Sequence, residues 1–535
     1  MDPALLAAVE EHLPPGPAAV AVLAGASSGL AETLRRRHPS ARIEECDDSL
    51  SASERHVRLT LSGPFDLIVD DHAAKVGRKV RFQDAFFQLR AGGVLVVRGA
   101  GSEAGGGSGR LGTLLAQAEA TRGMPAPVPG KDVAMGVVDA HALGESLADL
   151  SVVGDHLVAR TGAPPALAKL NEPEANLYLA QPNARRDRVV ELIPAEPFAS
   201  RCVLREYTPE PGRHQPDTYH PVDIALRDYH HVVVTPGQVV TNERVVFPDT
   251  YRHNQARRLR NRYTDEVAPR FARLQHGLDD LELLRGTYLH LDNEVRGHFG
   301  HLMTEQLSRM WAWPVAKQLV PDLKVLVAIN KDREMRGWEY AVYAAAGIER
   351  DDVVFLREPV RVERLLSGSP LFSNPHYVHP RIAETWRRVG DNLAVGAADR
   401  DYPRRIFCSR KIAKRACNNT DEVEALFAEQ GFEIVFPEEF PLGDQVEMFR
   451  RAEVVAGFAG SGLFNLCFAT EPKRVIMISS EVYTARNEYL FASVLGHEID
   501  SITSVADTPG EFQSSFTFDH DREGKHLAEV FTSLP

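Results

Sequence analysis

Apolar positions in this chain fall into short continuous runs separated by amphipathic stretches and glycine-bearing turns. That pattern predicts buried parallel strands alternating with helices. The run at residues 18–23 leads through a turn carrying Gly25 and Gly29 into a helical stretch at 31–37, the order with which a nucleotide-binding fold opens. A second apolar run at 65–69 closes on Asp70 and Asp71, and a helix at about 82–89 is followed, across a glycine turn, by a strand at 91–97. Runs at 156–159 and 167–170 read as late strands of the same sheet. The Gly- and Ser-rich residues 101–109 predict a loop, and the polar stretch 181–188 marks a boundary.

A β-rich segment comes next, with strands at 231–234, 238–240 and 245–247 between turn residues. Alternation then resumes: a helix from His298 to about Leu319, a strand at 324–329, a helix at 334–346 and a strand at 353–356. After a less regular stretch it starts again at Arg404. A strand at 405–410 precedes a helix from about Asp421, a strand at 432–436, an amphipathic helix at 445–451 and a strand at 454–457. The turn 458–462 then feeds a helix near Leu463. Two successive α/β halves predict a bilobed architecture with ligands in the cleft between them.

Composition narrows the function. The chain has 535 residues with 61 basic against 74 acidic side chains, a net charge of -13, which argues against a broad nucleic-acid or anionic-membrane surface. A phosphate site must then be local. Five cysteines without a Cys-x-x-Cys pair argue against a disulfide framework and a thiolate zinc site, and fit a reducing cytoplasm. No apolar run approaches the roughly 20 residues of a membrane helix, and residues 1–4 do not open a secretory signal. Usage rich in Ala, Arg and Gly suggests a high-GC bacterial source. The Asp-x-Asp pairs at Asp399/Asp401 and Asp519/Asp521 read as solvated loops, because neither follows an apolar strand.

The candidate chemistry sits at strand ends. Arg410 and Arg415 follow one strand, and two guanidinium forks can neutralise a diphosphate without a metal; the competing reading is a solvated helix start, with Lys411 and Lys414 between them. Gly460, Ser461 and Gly462 form a turn whose backbone can approach an anion, or a tight structural turn only. Ser409, Gln445 and Asn465 lie in the same strand-end layer, as ligand contacts or as ordinary helix and cap residues. His298, His301 and Glu305 stand three and four residues apart, so they share one helix face. A histidine held by a carboxylate can act as a general base on a sugar hydroxyl, bind a metal in an incomplete ligand set, or simply be a hydrogen-bonded core histidine.

Two family resemblances follow from these residues. Over about 15–175 the order resembles class I S-adenosylmethionine-dependent methyltransferases. That resemblance implies cofactor binding at Gly25, Gly29, Glu45 or Asp47, and Asp70 at the end of a fourth strand. The chain departs from it at Leu23 and Ala24, where the family has an acid, and at Ser27, which replaces a glycine; the alternative is a degenerate Rossmann-like scaffold. From about 285 to 500 the chain resembles glycosyltransferase family 61. His301, Glu305, Leu307 and Arg309 match its first element, and Ser409, Arg410 and Arg415 its second. Gly431-Phe432, Pro437-Glu438, Gln445-Val446, and Gly460, Ser461, Gly462 and Asn465 complete it in order. Departures stand at Ser308, Asn418-Asn419 and Ala459.

The resemblances imply an α/β chain in which an N-terminal methyltransferase-type domain (1–183) precedes a GT-B-type pair of Rossmann-like lobes, 190–390 on the acceptor side and 400–535 on the nucleotide-sugar side. The implied activity is inverting sugar transfer in the cytoplasm from a nucleotide-sugar donor, without a metal, to a glycan or lipid-linked glycan of a cell-surface or capsular polysaccharide. No nucleic-acid partner is implied, and membrane association would be peripheral. The rival readings are a methyltransferase with a C-terminal glycan-recognition region and a non-catalytic glycan-binding or assembly protein. Arg410→Ala is expected to lower turnover and Arg260→Ala to do little.

Overall fold

The structure, a computed structural model, describes residues 2–25, 28–104, 109–127, 134–181, 186–207, 215–251, 261, 263–275, 280–329, 334–411 and 414–534. Ser27 and Arg260 therefore lie outside the described residues. The chain is a mixed α/β protein with three large sheets. Among the described residues no helix is long and apolar enough to cross a membrane.

The first sheet has six strands, in the order Arg42–Asp47, Ala19–Ala24, Phe65–Asp70, Leu89–Val97, His156–Thr161, Leu147–Val153. The first four are parallel and the last two antiparallel. All six residues of Phe65–Asp70 are buried, as a parallel strand covered on both faces requires. Helix Ala52–Ser62 starts in a capping box between Ser51 and Glu54, which satisfies two orphan N–H groups. Asp70 ends the strand that lies beside Ala19–Ala24, on the side away from Arg42–Asp47. One expectation is corrected here. Gly92 and Gly93 lie inside strand Leu89–Val97, at a register shift against Phe65–Asp70, instead of forming a turn before it. A Cβ on Gly93 would stand 3.0 Å from the Phe65 carbonyl oxygen, so a bulge explains the glycine.

The second sheet has eleven strands and is mixed. Its parallel part joins Val360–Gly368, Leu283–His290, Lys324–Ala328 and Val353–Leu356; its antiparallel part is built on the long strand Ile224–Thr235. Leu167–Lys169 belongs to this sheet, between Val245–Val246 and Phe271–Leu274, and not to the first as expected. Buried ion pairs reinforce that attachment. Lys169 contacts Glu266, and Glu172, on helix Glu172–Leu179, accepts from Arg227 at 2.6 Å.

The third sheet is wholly parallel, in the order Val203–Tyr207, Glu498–Ser504, Arg474–Ser480, Val454–Phe458, Arg405–Cys408, Glu433–Val435. Its edge strand Val203–Tyr207 comes from the middle of the sequence. It pairs five residues with Glu498–Ser504 and so covers that strand's outer side. Helix Leu442–Arg451 packs tightly on Ile382–Ala394: a Cβ on Gly443 would stand 2.8 Å from the Leu393 carbonyl oxygen. The carboxyl ends of the third sheet face the helical stretch that begins at His298, and the candidate site forms between them.

Candidate active site

His301 stands where the sequence predicts a helix, but the helix is not regular. Phe299–His301 is a single turn, Leu302–Gln306 is a π-helical turn, Leu307–Arg309 is 3-10, and Ala312–Leu319 is α-helical. Side chains satisfy the displaced backbone groups: Thr304 Oγ1 donates to the Gly300 carbonyl at 2.9 Å and Ser308 Oγ to the Glu305 carbonyl at 2.7 Å. A widened turn of this kind re-aims side chains and is frequent at functional sites. Here Glu305 faces back onto His301, whose Nδ1 lies 2.6 Å from Oε1. If Nδ1 carries the proton, Nε2 is left as the basic nitrogen. His298 caps the turn with its ring centroid 4.7 Å from that of His301.

The opposite wall is built at the carboxyl ends of the third sheet. Arg410, two residues past strand Arg405–Cys408, donates from Nη2 to the Ala459 carbonyl at 2.8 Å and lies over the Phe458 ring. Burial, with the Arg415 charge beside it, brings its guanidinium down to about 10. Arg415 adopts a left-handed backbone with φ 56°. Its guanidinium lies 4.8 Å from the Tyr483 ring centroid and 5.2 Å from that of Phe512. Gly460 needs its φ of 130°, and a Cβ there would come within 3.6 Å of Arg415 Nη2. The two arginines and the glycine turn therefore converge.

Other expectations are altered. The Gly460 N–H is not bare; it donates to Glu488 Oε1 at 2.6 Å. Burial pushes the Glu488 carboxyl up, while its bonds from Gly460 and Tyr483 and the Arg415 charge pull it down. The helix expected near Leu463 is present as a 3-10 helix, Ser461–Phe468. Asn465 is fully buried behind the cavity wall, where its Nδ2 donates to Gln445 Oε1 at 2.9 Å. Gln445 in turn donates to the Phe440 carbonyl at 2.9 Å, so the two amides brace the loop after Glu433–Val435. Ser409 bonds to Glu424.

His301, Glu305, Ser409, Arg410, Arg415, Gln445, Gly460, Ser461 and Gly462 line one cavity of about 1260 Å³. The walls nearly touch at one point: a Cβ on Gly300 would stand 3.1 Å from Ser461 Cβ and 3.2 Å from the Phe464 ring. Tyr483, Phe512, Arg336 and Trp338 also line it and were not anticipated. Tyr483 follows strand Arg474–Ser480, so the strand-end rule, applied once more, would have found it. Among the described residues no three His, Cys, Asp or Glu side chains gather as a metal-holding group.

The methyltransferase-type positions do not join this cavity. Asp70 is fully buried and accepts from Arg81 Nε at 2.9 Å and from His72 Nδ1 at 2.6 Å. Asp70 is also what chiefly raises the His72 pKa. Glu45 pairs with Arg35 at 3.1 Å, and Asp47 accepts from the Ser49 amide at 3.0 Å. Gly25 lies near Asp48, 3.5 Å from where a Cβ would reach its carboxylate, and Gly29 opens helix Leu30–Arg37 with φ 62°. Each expected cofactor acid is thus engaged by a protein group.

No curated protein matches the chain. Among solved structures, the MycE methyltransferase of the mycinamycin biosynthetic pathway, in complex with Mg and SAH, is 16% identical with a TM-score of 0.22. The match covers 27% of this chain, which spans only 45% of that one. The dodecameric iron-containing heptosyltransferase TibC, in complex with ADP-D-beta-D-heptose, is 14% identical over 50% of this chain and 80% of that chain, with a TM-score of 0.20. Likenesses this slight do not inform the reading of the site. Residues 299–476, which supply both the His301–Glu305 pair and the Arg410–Arg415 wall, match the family model Glycosyltransferase 61.

Proposed function

We propose that this protein is an inverting glycosyltransferase of GT-B-type architecture that moves a sugar from a nucleotide-sugar donor to a glycan acceptor, in the building of a cell-surface or capsular polysaccharide. The observation that carries the reading is that a carboxylate-held histidine and a pair of arginines line opposite walls of one cavity. His301 Nε2 takes the proton of the acceptor hydroxyl, with Nδ1–H held by Glu305. The hydroxyl oxygen forms a bond to the anomeric carbon as the bond to the donor phosphate oxygen breaks, and the electron pair leaves with the diphosphate. Arg410 and Arg415 stabilise that charge where an aspartate-bound metal would otherwise do so. Peripheral membrane association and a lipid-linked acceptor belong to the same reading.

Thermal stabilisation by uridine, guanosine, thymidine and cytidine diphosphate sugars tests it, because a donor that binds only the folded state raises its melting temperature. At least one donor should do so, and Arg410→Ala should abolish the shift while Arg387→Ala, on an exposed helix face, leaves it. With that donor, His301→Ala should keep the shift and lower turnover about 10²–10⁴-fold, and turnover should survive a chelator. A shift that persists in Arg410→Ala, or none with any donor, removes the reading. Retention of the anomeric configuration in the product would remove inversion.

A further inference from the structure

We infer that Glu488 is the positioning residue of the anion-binding wall, acting through Tyr483, Arg415 and the Gly460 amide and not by touching the ligand. The inference rests on the diphosphate reading of the cavity. Glu488 and Tyr483 both lie beyond the segment 299–476, and Glu488 does not line the cavity.

Glu488 is fully buried in the first turn of helix Asn487–Leu495. Oε1 accepts the Gly460 N–H at 2.6 Å, and both carboxylate oxygens lie 3.2 Å from the Tyr483 hydroxyl. A single buried carboxylate thereby fixes the glycine turn and the tilt of the tyrosine. Tyr483 stacks on Phe512, with centroids 6.1 Å apart and planes 27° from parallel. The Arg415 guanidinium lies over both rings. Arg415 Nε is buried with no hydrogen-bond partner among the described residues, so the aromatic faces, and not a carboxylate, hold the fork. Aromatic support leaves the in-plane N–H groups unspent for a ligand, whereas a direct salt bridge would consume them. Placing the carboxylate one layer back, behind Tyr483, is what makes that arrangement stable.

Calorimetric titration of the full-length protein with inorganic pyrophosphate tests this. Tyr483→Phe, Glu488→Gln and Glu488→Ala are each measured in the wild-type and in an Arg415→Lys background, which keeps charge but removes the planar fork. Tyr483→Phe and Glu488→Ala should weaken pyrophosphate about tenfold in the first background and far less in the second, because residues acting as one unit couple. Glu488→Gln, which retains an acceptor for the Gly460 N–H, should recover most of the affinity. Equal losses in both backgrounds, or Tyr483→Phe binding like wild type, overturns the inference even if Glu488→Ala does not fold. Wild-type protein that ignores pyrophosphate overturns the diphosphate reading and this inference together. Binding that Arg410→Ala abolishes but Tyr483→Phe leaves intact sinks only the role of Glu488.

Discussion

Arg410 illustrates what a ligand site costs the empty protein. Its pKa, brought down to about 10 by burial and by Arg415, means that folding disfavours the charged form. A base depressed in this way subtracts stability at every pH below about 10, and the loss is relieved only as pH rises through that value toward the ordinary arginine range. The conflict is local and resolves when an anion arrives. Arg410→Met should therefore raise the melting temperature of the ligand-free protein by roughly 2–4 °C while abolishing stabilisation by a nucleotide sugar. A lower melting temperature would mean that the bond to the Ala459 carbonyl outweighs the cost of burial. At this scale the sequence picked out groups that line one cavity. It could not reveal that Asn465 turns inward to brace Gln445, because either orientation is compatible with the same local pattern.

Between elements, the decisive contact is that of the His298 turn with the glycine turn of the opposite wall. Gly300 permits it, since a Cβ there would meet Ser461 Cβ at 3.1 Å and the His298 ring at 3.3 Å. Gly337, in the first turn of a neighbouring helix, has nothing within 4 Å of its would-be Cβ. Chemical denaturation should show Gly300→Ala destabilised by about 1–3 kcal/mol, the usual cost of overpacking, and Gly337→Ala unchanged or slightly more stable. Equal effects would mean that the two walls are not in intimate contact. Helix periodicity gave His301 and Glu305 a common face, and they do meet. The π-helical turn that brings this about was invisible to periodicity, because it is one widened turn inside an otherwise helical pattern.

Over the whole molecule, the chain is interlocked more than a linear division at 183, 190, 390 and 400 implies. Strand Leu167–Lys169 and helix Glu172–Leu179 attach to the second sheet, and strand Val203–Tyr207 completes the third. Glu172 is a hub of this interlock: its Oε2 accepts from Arg227 Nη2 and from Ser369 Oγ, both at 2.6 Å. Arg227 is fully buried, so Glu172→Ala should cost about 3–5 kcal/mol by leaving its charge short of a counter-charge. Urea denaturation would read that loss, and a change below about 1 kcal/mol, the scale of an exposed pair, would show that Asn176, whose Oδ1 also accepts from Arg227 Nη2 at 2.9 Å, suffices for Arg227.

What the sequence determined by itself was the alternation of buried strands with helices and the chemical identity of the strand-end groups. Those signals are set within a few neighbouring residues: apolar runs, caps such as Ser51 with Glu54, and glycines that allow unusual φ. Tertiary structure alone decided which sheet Leu167–Lys169 and Val203–Tyr207 would join. It also decided that Asp70 would be spent on Arg81, and that Glu488 would occupy the amide of Gly460. Strand pairing uses backbone groups that every residue carries, and the contacts of Asp70 with Arg81 and of Glu488 with Gly460 join residues 11 and 28 positions apart, beyond the reach of the local pattern.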